Sequence, residues 1–322
     1  MTTVARLRAL VTVADAGSVR EAARRLTVTE SAVSAALSAL AREVRVPLVE
    51  RDGRGLRLTA SGQAYSVYAR AILGLHEEGL AAARGDRDPE RGRVRVAATA
   101  TAGEYLLPAM LASFLAHHPA VDLRLQVGSS ERLWGLFAAH EADLVIGGRP
   151  PGHVSDAVVR AVRPNLLVVV AAPQITAGFD IGRTRWLQRE AGSGTRATGE
   201  ALLGGLDADP PRLTLGSGGA VVACAAAGLG ATLVSRDAVS RQVKAGELAE
   251  IPVPGTPLRR PWHAVTHDRE PGATALLVRH LLEHEGWRRP AGAGNRPAGA
   301  GSRAARLRTE PPAARAPSVR DN

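Results

Sequence analysis

The sequence predicts an α/β protein with a small, mostly helical N-terminal domain and a larger domain in which strands and helices alternate. Two observations predict this fold. Short helical periodicities with cap residues fill the first 60 positions, and from Arg93 onward short apolar runs alternate with helices. The length of 322 residues agrees with two domains, because one hydrophobic core rarely grows beyond about 250–300 residues.

Charge divides the chain into three regions. Residues 1–70 carry 11 arginines and six acidic residues, residues 71–287 are close to neutral, and residues 288–322 carry eight arginines and two acidic residues. Basic ends on a neutral body favour local contact with a polyanion, since Arg–phosphate contacts release counterions. Solubility alone is the other explanation. Residues 288–322 have few large apolar side chains, so this tail is predicted to be disordered.

Three helices are predicted in the N-terminal domain, residues 1–60. The first ends at Gly17 and has an apolar face made of Val4, Leu7, Leu10, Val11 and Ala14. Ser18 and Glu21 have the spacing of a capping box, which begins a second short helix. After a tight turn, Thr29 can cap a third helix with the apolar residues Val33, Leu37 and Leu40. This order predicts a helix-turn-helix.

A helix-turn-helix indicates DNA binding, because its second helix enters the major groove and presents outward residues to the bases. The candidate DNA-binding residues on the caps and first turns are Ser18, Thr29, Glu30, Ser31, Ser34 and Ala35. Two extended segments around a glycine turn follow, and we interpret them as a wing. Its arginines are predicted to contact phosphates or the minor groove: Arg51, Arg54 and Arg57. A solvated hairpin is the alternative.

A long linker helix is predicted over residues 61–84, with Thr59 or Ser61 as its cap. Its apolar residues keep an approximate heptad spacing, which favours pairing with a second copy: Ala64, Tyr68, Ala71, Leu75 and Ala82. Packing of this helix on its own domain is the alternative. Residues 85–92 have the Gly, Pro and charge content of a hinge.

The larger domain, residues 93–287, is predicted to contain a mostly parallel central sheet. Ligands of such sheets bind at the carboxyl ends of the strands, where several segments precede helices whose free amides favour an anion. The candidate ligand-binding residues are Thr99, Ala100, Thr101, Ser129, Arg149, Ser193, Gly194, Thr195, Arg196 and Ser217. The segment 192–196 can clamp a carboxylate or phosphate, or it can simply cap a helix.

The N-terminal motifs resemble those of the LysR-type transcriptional regulators. The matching positions include Gly17-Ser18, Ala22-Ala23-Arg24-Arg25-Leu26, Ser31-Ala32-Val33-Ser34, Val46-Pro47-Leu48, Glu50-Arg51 and Leu58-Thr59. The resemblance implies a winged helix-turn-helix and a linker helix that joins two copies in a homodimer or homotetramer. It also implies binding to double-stranded promoter DNA. RNA polymerase is a further expected partner.

The region from Arg93 resembles the effector domain of the same family, which is similar to periplasmic binding proteins with two α/β lobes. The resemblance implies a first lobe at about 93–163 and 268–286, a second lobe at about 164–267, and an effector cleft between them. Segments 102–108, 148–151 and 190–196 most resemble regulators of carbon-fixation and sulfur-assimilation operons. A small anionic metabolite is therefore the expected effector.

Other function classes find little support in the sequence. One cysteine, Cys224, excludes an internal disulfide, and no cofactor is expected. Two histidine pairs, 263/267 and 280/284, lack a third ligand motif, so no metal site is predicted. Without catalytic motifs, the chain is not expected to be an enzyme. Without an export signal or long apolar run, a cytoplasmic protein with no membrane partner is expected, and a periplasmic-type ligand-binding module without a regulatory role is the alternative.

Overall fold

The computed structural model describes residues 2–52, 55–84, 88–152, 154, 156–284 and 286–291. Helices α1 (Val4–Ala16), α2 (Val19–Leu26) and α3 (Glu30–Val44) precede a two-stranded sheet of β1 (Val49–Asp52) and β2 (Gly55–Leu58). The predicted apolar faces form one core, which includes Leu7, Leu10, Val33, Leu37 and Leu40. The helix-turn-helix and wing predicted for the N-terminal domain are therefore present.

The long helix α4 spans Ala60–Arg84 and begins directly after the wing. Thr59 caps it, because its hydroxyl accepts a hydrogen bond from Gly62 N at 2.9 Å and donates one to Pro47 O at 2.7 Å. A side chain at Gly62 would overlap the backbone of Leu48, so only glycine lets the helix approach the wing this closely. The first turn of α4 is thus fixed to the N-terminal domain.

A five-stranded sheet forms the first lobe of the larger domain, in the order β4-β3-β5-β13-β6. Its strands are β3 (Arg93–Thr99), β4 (Asp122–Gly128), β5 (Leu144–Gly147), β6 (Val158–Arg163) and β13 (Trp262–Thr266). Three helices cover it: α5 (Leu107–His117), α6 (Ser130–Ala138) and α11 (Gly272–His284). A π-helical turn at Ala102–Leu106 leads into α5.

The second lobe has its own sheet and core. Strand β7 (Leu166–Ala171) pairs with β10 (Thr232–Ser235), β11 (Ala249–Ile251) and β12 (Leu258–Arg259), and β8 (Trp186–Arg189) pairs with β9 (Arg212–Leu215). The helices are α7 (Pro173–Thr176), α8 (Gly194–Gly205), α9 (Gly218–Ala226) and α10 (Arg236–Lys244). Buried aliphatic side chains of β7 face both helical layers.

Two predictions about this domain need correction. The sheets are not mostly parallel: β13 is antiparallel to β5 and β6, and β7 is antiparallel to its three partners. The second lobe does not extend to residue 267, because Trp262–Thr266 is a strand of the first lobe. An apolar run predicts that a strand exists, but its direction and neighbours depend on pairing with distant segments.

The predicted hinge and tail are only partly described. Residues 89–91 of the hinge form a 3-10 turn, whereas 85–87 lie outside the described residues. The predicted tail starts too early, because Arg288 exchanges two backbone hydrogen bonds with Val162. Residues 292–322 lie outside the described residues. Within the described part of the chain, no helix is both long and apolar enough to cross a bilayer.

Candidate ligand cleft and nucleic-acid interface

The cap residues of the helix-turn-helix lie where the sequence predicts. Ser18 Oγ accepts a hydrogen bond from Glu21 N at 3.2 Å, and Thr29 Oγ1 accepts one from Ala32 N at 3.2 Å. Thr29 also lies 2.9 Å from the hydroxyl of Ser31. Both helices therefore begin on the side-chain oxygens that the cap pattern requires.

The capping box at Ser18 is only half formed, which corrects the prediction. The Glu21 carboxylate accepts hydrogen bonds from Arg24 at 2.6 Å and from Arg25 at 2.9 Å. These two guanidinium groups lower the pKa of Glu21 from its ordinary 4.5 to about 2. Charge-assisted bonds to arginines one turn away are stronger than a bond to a neutral amide, so the carboxylate turns towards them.

The outward face of α3 is free for a partner. Glu30, Ser31, Ser34 and Ala35 are all exposed, whereas the apolar residues of the same helix are buried. Val28, which is not among the predicted DNA-binding residues, is 48% exposed in the turn before α3. An apolar side chain at this point can contact a thymine methyl group.

The three wing arginines differ in their surroundings. Arg57 pairs with Glu50 across the strands at 3.0 Å, so part of its charge is already neutralised. Arg51 is exposed and has no carboxylate partner among the described residues. Arg54 lies outside the described residues. Of the two arginines that the structure describes, Arg51 is the better placed to contact a phosphate.

A cleft of about 310 Å³ lies between the two lobes and gathers most of the predicted ligand residues. Strand ends of the first lobe contribute Thr99, Ala100, Thr101, Gly128, Ser129, Ser130 and Trp262, and the second lobe side contributes Arg189, Glu190, Ser193, Gly194, Thr195 and Arg260. Ser129 and Ser193 are the N-caps of α6 and α8. Two helix N-termini from opposite lobes therefore border one cleft, an arrangement that favours an anion.

Arg260 is the cation that sequence reasoning missed. It lies in the segment that returns the chain from the second lobe to the first, and Asn165 lies where the chain first passes between the lobes. The backbone N of Arg260 donates a hydrogen bond to Asn165 O at 3.0 Å, and its backbone O accepts one from Asn165 Nδ2 at 2.9 Å. Its guanidinium reaches towards two glycines: a Cβ at Gly148 would lie 3.2 Å from Nη2, and one at Gly194 would overlap it. Glycine at both positions leaves room for the arginine.

The Arg260 guanidinium has no hydrogen-bond or ion-pair partner among the described residues, although the residue is half-buried. Burial lowers the pKa of Arg260, and no carboxylate opposes that effect. A half-buried cation without an opposite charge nearby is only partly solvated, which is unfavourable. An anion in the cleft would supply the missing charge.

Two more polar groups of the cleft lack partners. Thr99 Oγ1 and the indole Nε1 of Trp262 are buried and make no hydrogen bond within the described part of the chain. Unsatisfied buried donors are rare, and they often mark the place of a water or a ligand. The cleft thus holds a cation and two neutral hydrogen-bonding groups that a bound anion could satisfy together.

An adjoining cavity of about 390 Å³ extends the cleft into the second lobe, past Thr101 and Thr195. Arg196 lines this cavity, but its Nε donates to Glu200 at 2.8 Å. Arg189 is likewise held by Glu190 through two bonds of 2.8 Å, which lower the pKa of Glu190. Both guanidinium groups are therefore already neutralised, unlike that of Arg260.

Two predicted ligand residues lie outside both cavities. Arg149 is exposed, and Ser217 is exposed with its hydroxyl accepting a hydrogen bond from Ala220 N as the cap of α9. Each belongs to a loop that reaches the cleft side of its lobe, but the side chain itself does not line the space. Loop position was predictable from the strand pattern, whereas side-chain direction was not.

A winged helix-turn-helix followed by a two-lobed domain with a charged cleft defines a ligand-responsive DNA-binding protein. Residues 4–63 match the bacterial regulatory helix-turn-helix domain of the lysR family, and residues 87–286 match the LysR substrate binding domain. The chain belongs to the LysR family of transcriptional regulators. These matches confirm the predicted family and the prediction of a regulator rather than an enzyme.

Several relatives carry names that describe their role. The chain is 35% identical to the HTH-type transcriptional regulator CfxR of Cupriavidus necator, over 88% of this chain and 92% of that protein. It is also 35% identical to the RuBisCO operon transcriptional regulator of Acidithiobacillus ferrooxidans, over 82% and 87%. The regulatory domain of Synechocystis CcmR, solved in complex with 2-PG, superposes with a TM-score of 0.54 at 26% identity, over 59% of this chain and 96% of that domain.

Proposed function

We propose that this regulator binds a small anionic metabolite in the cleft and that the bound anion alters how an oligomer holds promoter DNA. The observation that carries the proposal is Arg260, a cation without a described partner between two helix N-termini. A dianionic or monoanionic ligand would neutralise it and accept hydrogen bonds from Thr99 and Trp262. Thr101, Ser129, Ser193 and Thr195 supply further hydroxyl groups around the same space.

The relatives narrow the biological setting. One is named a RuBisCO operon regulator, and the CcmR regulatory domain was solved with 2-PG. We therefore propose a carbon-fixation operon as the target and 2-PG, or a metabolite of similar size and charge, as the effector. Specificity within a shared fold depends on individual side chains, so the choice of metabolite needs a direct measurement.

Self-association is proposed to use the exposed face of α4. Four large apolar side chains of this helix face solvent: Val67, Tyr68, Ile72 and Leu75, with exposed fractions of 56, 69, 47 and 52%. They follow the predicted stripe through Tyr68 and Leu75, and a stripe of this kind favours a second helix of the same type. A homodimer would place two α3 helices on a dyad-symmetric site. A homotetramer and contact with RNA polymerase stay predictions.

The residues proposed to contact DNA are those of the predicted set whose side chains are exposed to solvent. The α3 residues Glu30, Ser31 and Ser34 would meet base edges, and Arg51 would contact a phosphate. Anion binding would change the angle between the lobes, and α4 would pass this change to the DNA-binding domains. The length of promoter protected in a footprint, with and without the anion, measures that effect.

The test of the cleft compares two neighbouring arginines in the full-length protein. Arg260→Gln removes the unpartnered cation, whereas Arg259→Gln removes an exposed arginine of β12. We expect 2-PG to raise the melting temperature of the wild type and of Arg259→Gln, because a ligand that binds only the folded state stabilises it. Arg260→Gln should bind at least tenfold more weakly, while its affinity for promoter DNA without ligand stays unchanged.

Two results would count against the proposed function. In one, neither 2-PG nor inorganic phosphate nor sulfate shifts the melting temperature of the wild type at millimolar concentration. In the other, Arg260→Gln and the wild type respond equally to the same anion. Isothermal calorimetry on the same three proteins gives the affinities directly.

A further inference from the structure

The turn that joins α2 to α3 holds its backbone in an unusual conformation. Thr27 has a φ of 56°, in the left-handed region that β-branched residues rarely adopt. Two backbone hydrogen bonds close the turn on α2: Thr27 N donates to Arg24 O at 3.3 Å, and Val28 N donates to Ala23 O at 3.0 Å. The direction in which Val28 leaves the turn is therefore fixed by bonds within the domain.

Val28 is exposed at a position where local packing rules predict burial. An apolar residue that follows a helix end of this kind often packs back on the helix. An apolar residue that precedes a helix cap often packs on the residue one turn into the next helix, which here is Val33. Val33 is buried, but Val28 is 48% exposed and is not among the described apolar residues that pack on the core of the N-terminal domain. The valine is thus held in solvent and does not fasten the turn.

The exposed valine lies at the end of α3 that a helix-turn-helix inserts first into the major groove. It directly precedes Thr29, the cap of α3, which is followed by Glu30 and Ser31. Thr27, Thr29, Glu30 and Ser31 are all exposed. Val28 is therefore an apolar spot on an otherwise polar helix tip.

The hydroxyl next to Val28 is already engaged. Thr29 Oγ1 accepts a hydrogen bond from Ala32 N at 3.2 Å and lies 2.9 Å from Ser31 Oγ. Thr29 therefore serves as the cap of α3, and Val28 is the side chain beside it that remains available to a base.

The major groove offers one apolar feature to such a side chain. The groups that distinguish the bases there are hydrogen-bond donors and acceptors, apart from the methyl group at C5 of thymine. The polar groups of Glu30, Ser31 and Ser34 can bond to donors and acceptors, but they gain nothing from a methyl group. A branched apolar side chain does gain, because the contact removes apolar surface of both partners from water.

We propose that Val28 is a specificity-determining residue for DNA binding and that it contacts the methyl group of one thymine in each half-site. This inference rests on the proposed insertion of α3 into the major groove. The contact favours thymine over uracil, which differs from thymine only in lacking that methyl group. Because the turn is already closed on α2, the valine loses little conformational freedom when it meets the base.

The test uses the full-length protein and synthetic DNA. The protein first selects its preferred duplex from a library of random sequences, and each thymine of that duplex is then replaced singly by uracil. Val28→Ala removes both γ-methyl groups of the valine. Val46→Ala is the matched control, because Val46 is 37% exposed but lies beyond the opposite end of α3. Equilibrium binding is measured for every pair of protein and duplex.

We expect uracil at one thymine of each half-site to weaken binding of the wild type about fourfold, the effect of one buried methyl group. Val46→Ala should show the same loss at the same position. Val28→Ala should bind the thymine and uracil duplexes equally there, because the methyl group has lost its partner. The four affinities isolate the contact, since a general weakening by Val28→Ala affects both duplexes alike.

Two results would overturn the proposal. In the first, no thymine of the selected duplex is sensitive to uracil in the wild type, a measurement that requires no variant. In the second, Val28→Ala keeps the full sensitivity of the wild type at every thymine, so another residue contacts the methyl group.

Ser34→Ala examines the proposed α3 contacts independently. If this variant keeps the full preference of the wild type for the selected duplex over random DNA, Ser34 is not a base-reading residue. The uracil comparison still decides the role of Val28 in that case, so the two proposals fail separately.

Discussion

At the scale of single residues, the proposed role of Arg260 in ligand binding implies a loss of stability in the free protein. The Arg260 side chain is half-buried without a counter-charge among the described residues, and burial lowers its pKa. Binding sites often keep such unfavourable groups because the ligand needs them. In the free protein, the arginine should therefore be less stable than a neutral residue of similar size.

This leads to a prediction about the free protein. Arg260→Gln should raise the free energy of unfolding by about 1 kcal/mol, because it removes a poorly solvated charge. For a protein of this size, that corresponds to roughly 2–4 °C in melting temperature. Differential scanning calorimetry without ligand measures it, and Arg259→Gln should leave the melting temperature within about 1 °C. A clear fall for Arg260→Gln would show that the guanidinium has a structural partner.

His263 gives a second residue-scale prediction, in the dependence of stability on pH. Burial, followed by the positive charge of Arg149, lowers the pKa of His263 below its ordinary 6.5. Between the folded and the unfolded pKa, the unfolded chain binds more protons. The stabilising contribution is therefore complete above about pH 6.5 and is lost as the pH falls through the lowered value.

Lowering the pH from 7.5 to 5.5 should accordingly reduce the melting temperature more in the wild type than in His263→Gln. His76→Gln, at an exposed position of α4, should keep the wild-type slope. Equal slopes in all three proteins would mean that His263 is protonated in the folded state as easily as in the unfolded chain. Thermal unfolding by circular dichroism in matched buffers makes the comparison.

At the scale of elements, α4 depends on a glycine at its first turn. Any side chain at Gly62 would overlap the Leu48 carbonyl, and the neighbouring backbone is held by Thr59. Gly135 in α6 is the opposite case, because it is exposed and a Cβ there meets nothing within 4 Å. The same substitution should therefore have opposite effects at the two positions.

We expect Gly62→Ala to lower the free energy of unfolding by about 1–3 kcal/mol and to weaken DNA binding, since the wing must move. Gly135→Ala should raise it by up to about 1 kcal/mol, because alanine is the better helix former. Urea unfolding of both variants measures the two changes. A Gly62→Ala variant with an unchanged free energy of unfolding would show that α4 can tilt away from the wing freely.

At the scale of the whole molecule, the exposed apolar face of α4 should decide the oligomeric state. Ile72→Glu combined with Leu75→Glu places two charges on that face, whereas His76→Glu places one on the same helix beside the face. Burying carboxylates without partners is strongly unfavourable. The double variant should therefore halve the particle mass seen by light scattering and lose at least tenfold in affinity for promoter DNA.

His76→Glu should keep both the mass and the DNA affinity of the wild type. A double variant that retains the wild-type mass would exclude this face from the principal interface. The four residues that form the face are exposed to solvent in the single chain, so the substitutions should not unfold it. Circular dichroism checks the folding of each variant separately.

Charged contacts also join the two halves of the single chain. Arg70 of α4 pairs with Asp15 of α1 and, at 3.2 Å, with Glu141 of the first lobe. Arg95 of β3 pairs with Asp143 at 2.5 Å and lies 3.9 Å from Glu78. α4 thus has ionic contacts both with the DNA-binding domain and with the first lobe.

The sequence alone determined the N-terminal domain in detail. The buried stripe of α1, the cap hydroxyls of Ser18 and Thr29, and the apolar residues of α3 are local features, because each depends on neighbours within one or two helical turns. The helix N-termini that border the cleft were also predictable, since a Ser before a helix is read from adjacent residues. The spacing along α4 predicted Tyr68 and Leu75 of its exposed apolar face, but not Val67 and Ile72.

Only the tertiary structure decided which of these features meet. Strand direction, the place of Trp262–Thr266 in the first lobe, and the capture of Glu21 by two arginines depend on three-dimensional competition between partners. Arg260 has no local signal, since its surroundings come from burial and from distant segments. Sequence periodicity records which side of an element is apolar, but the free energy of a charge depends on what the rest of the fold places beside it.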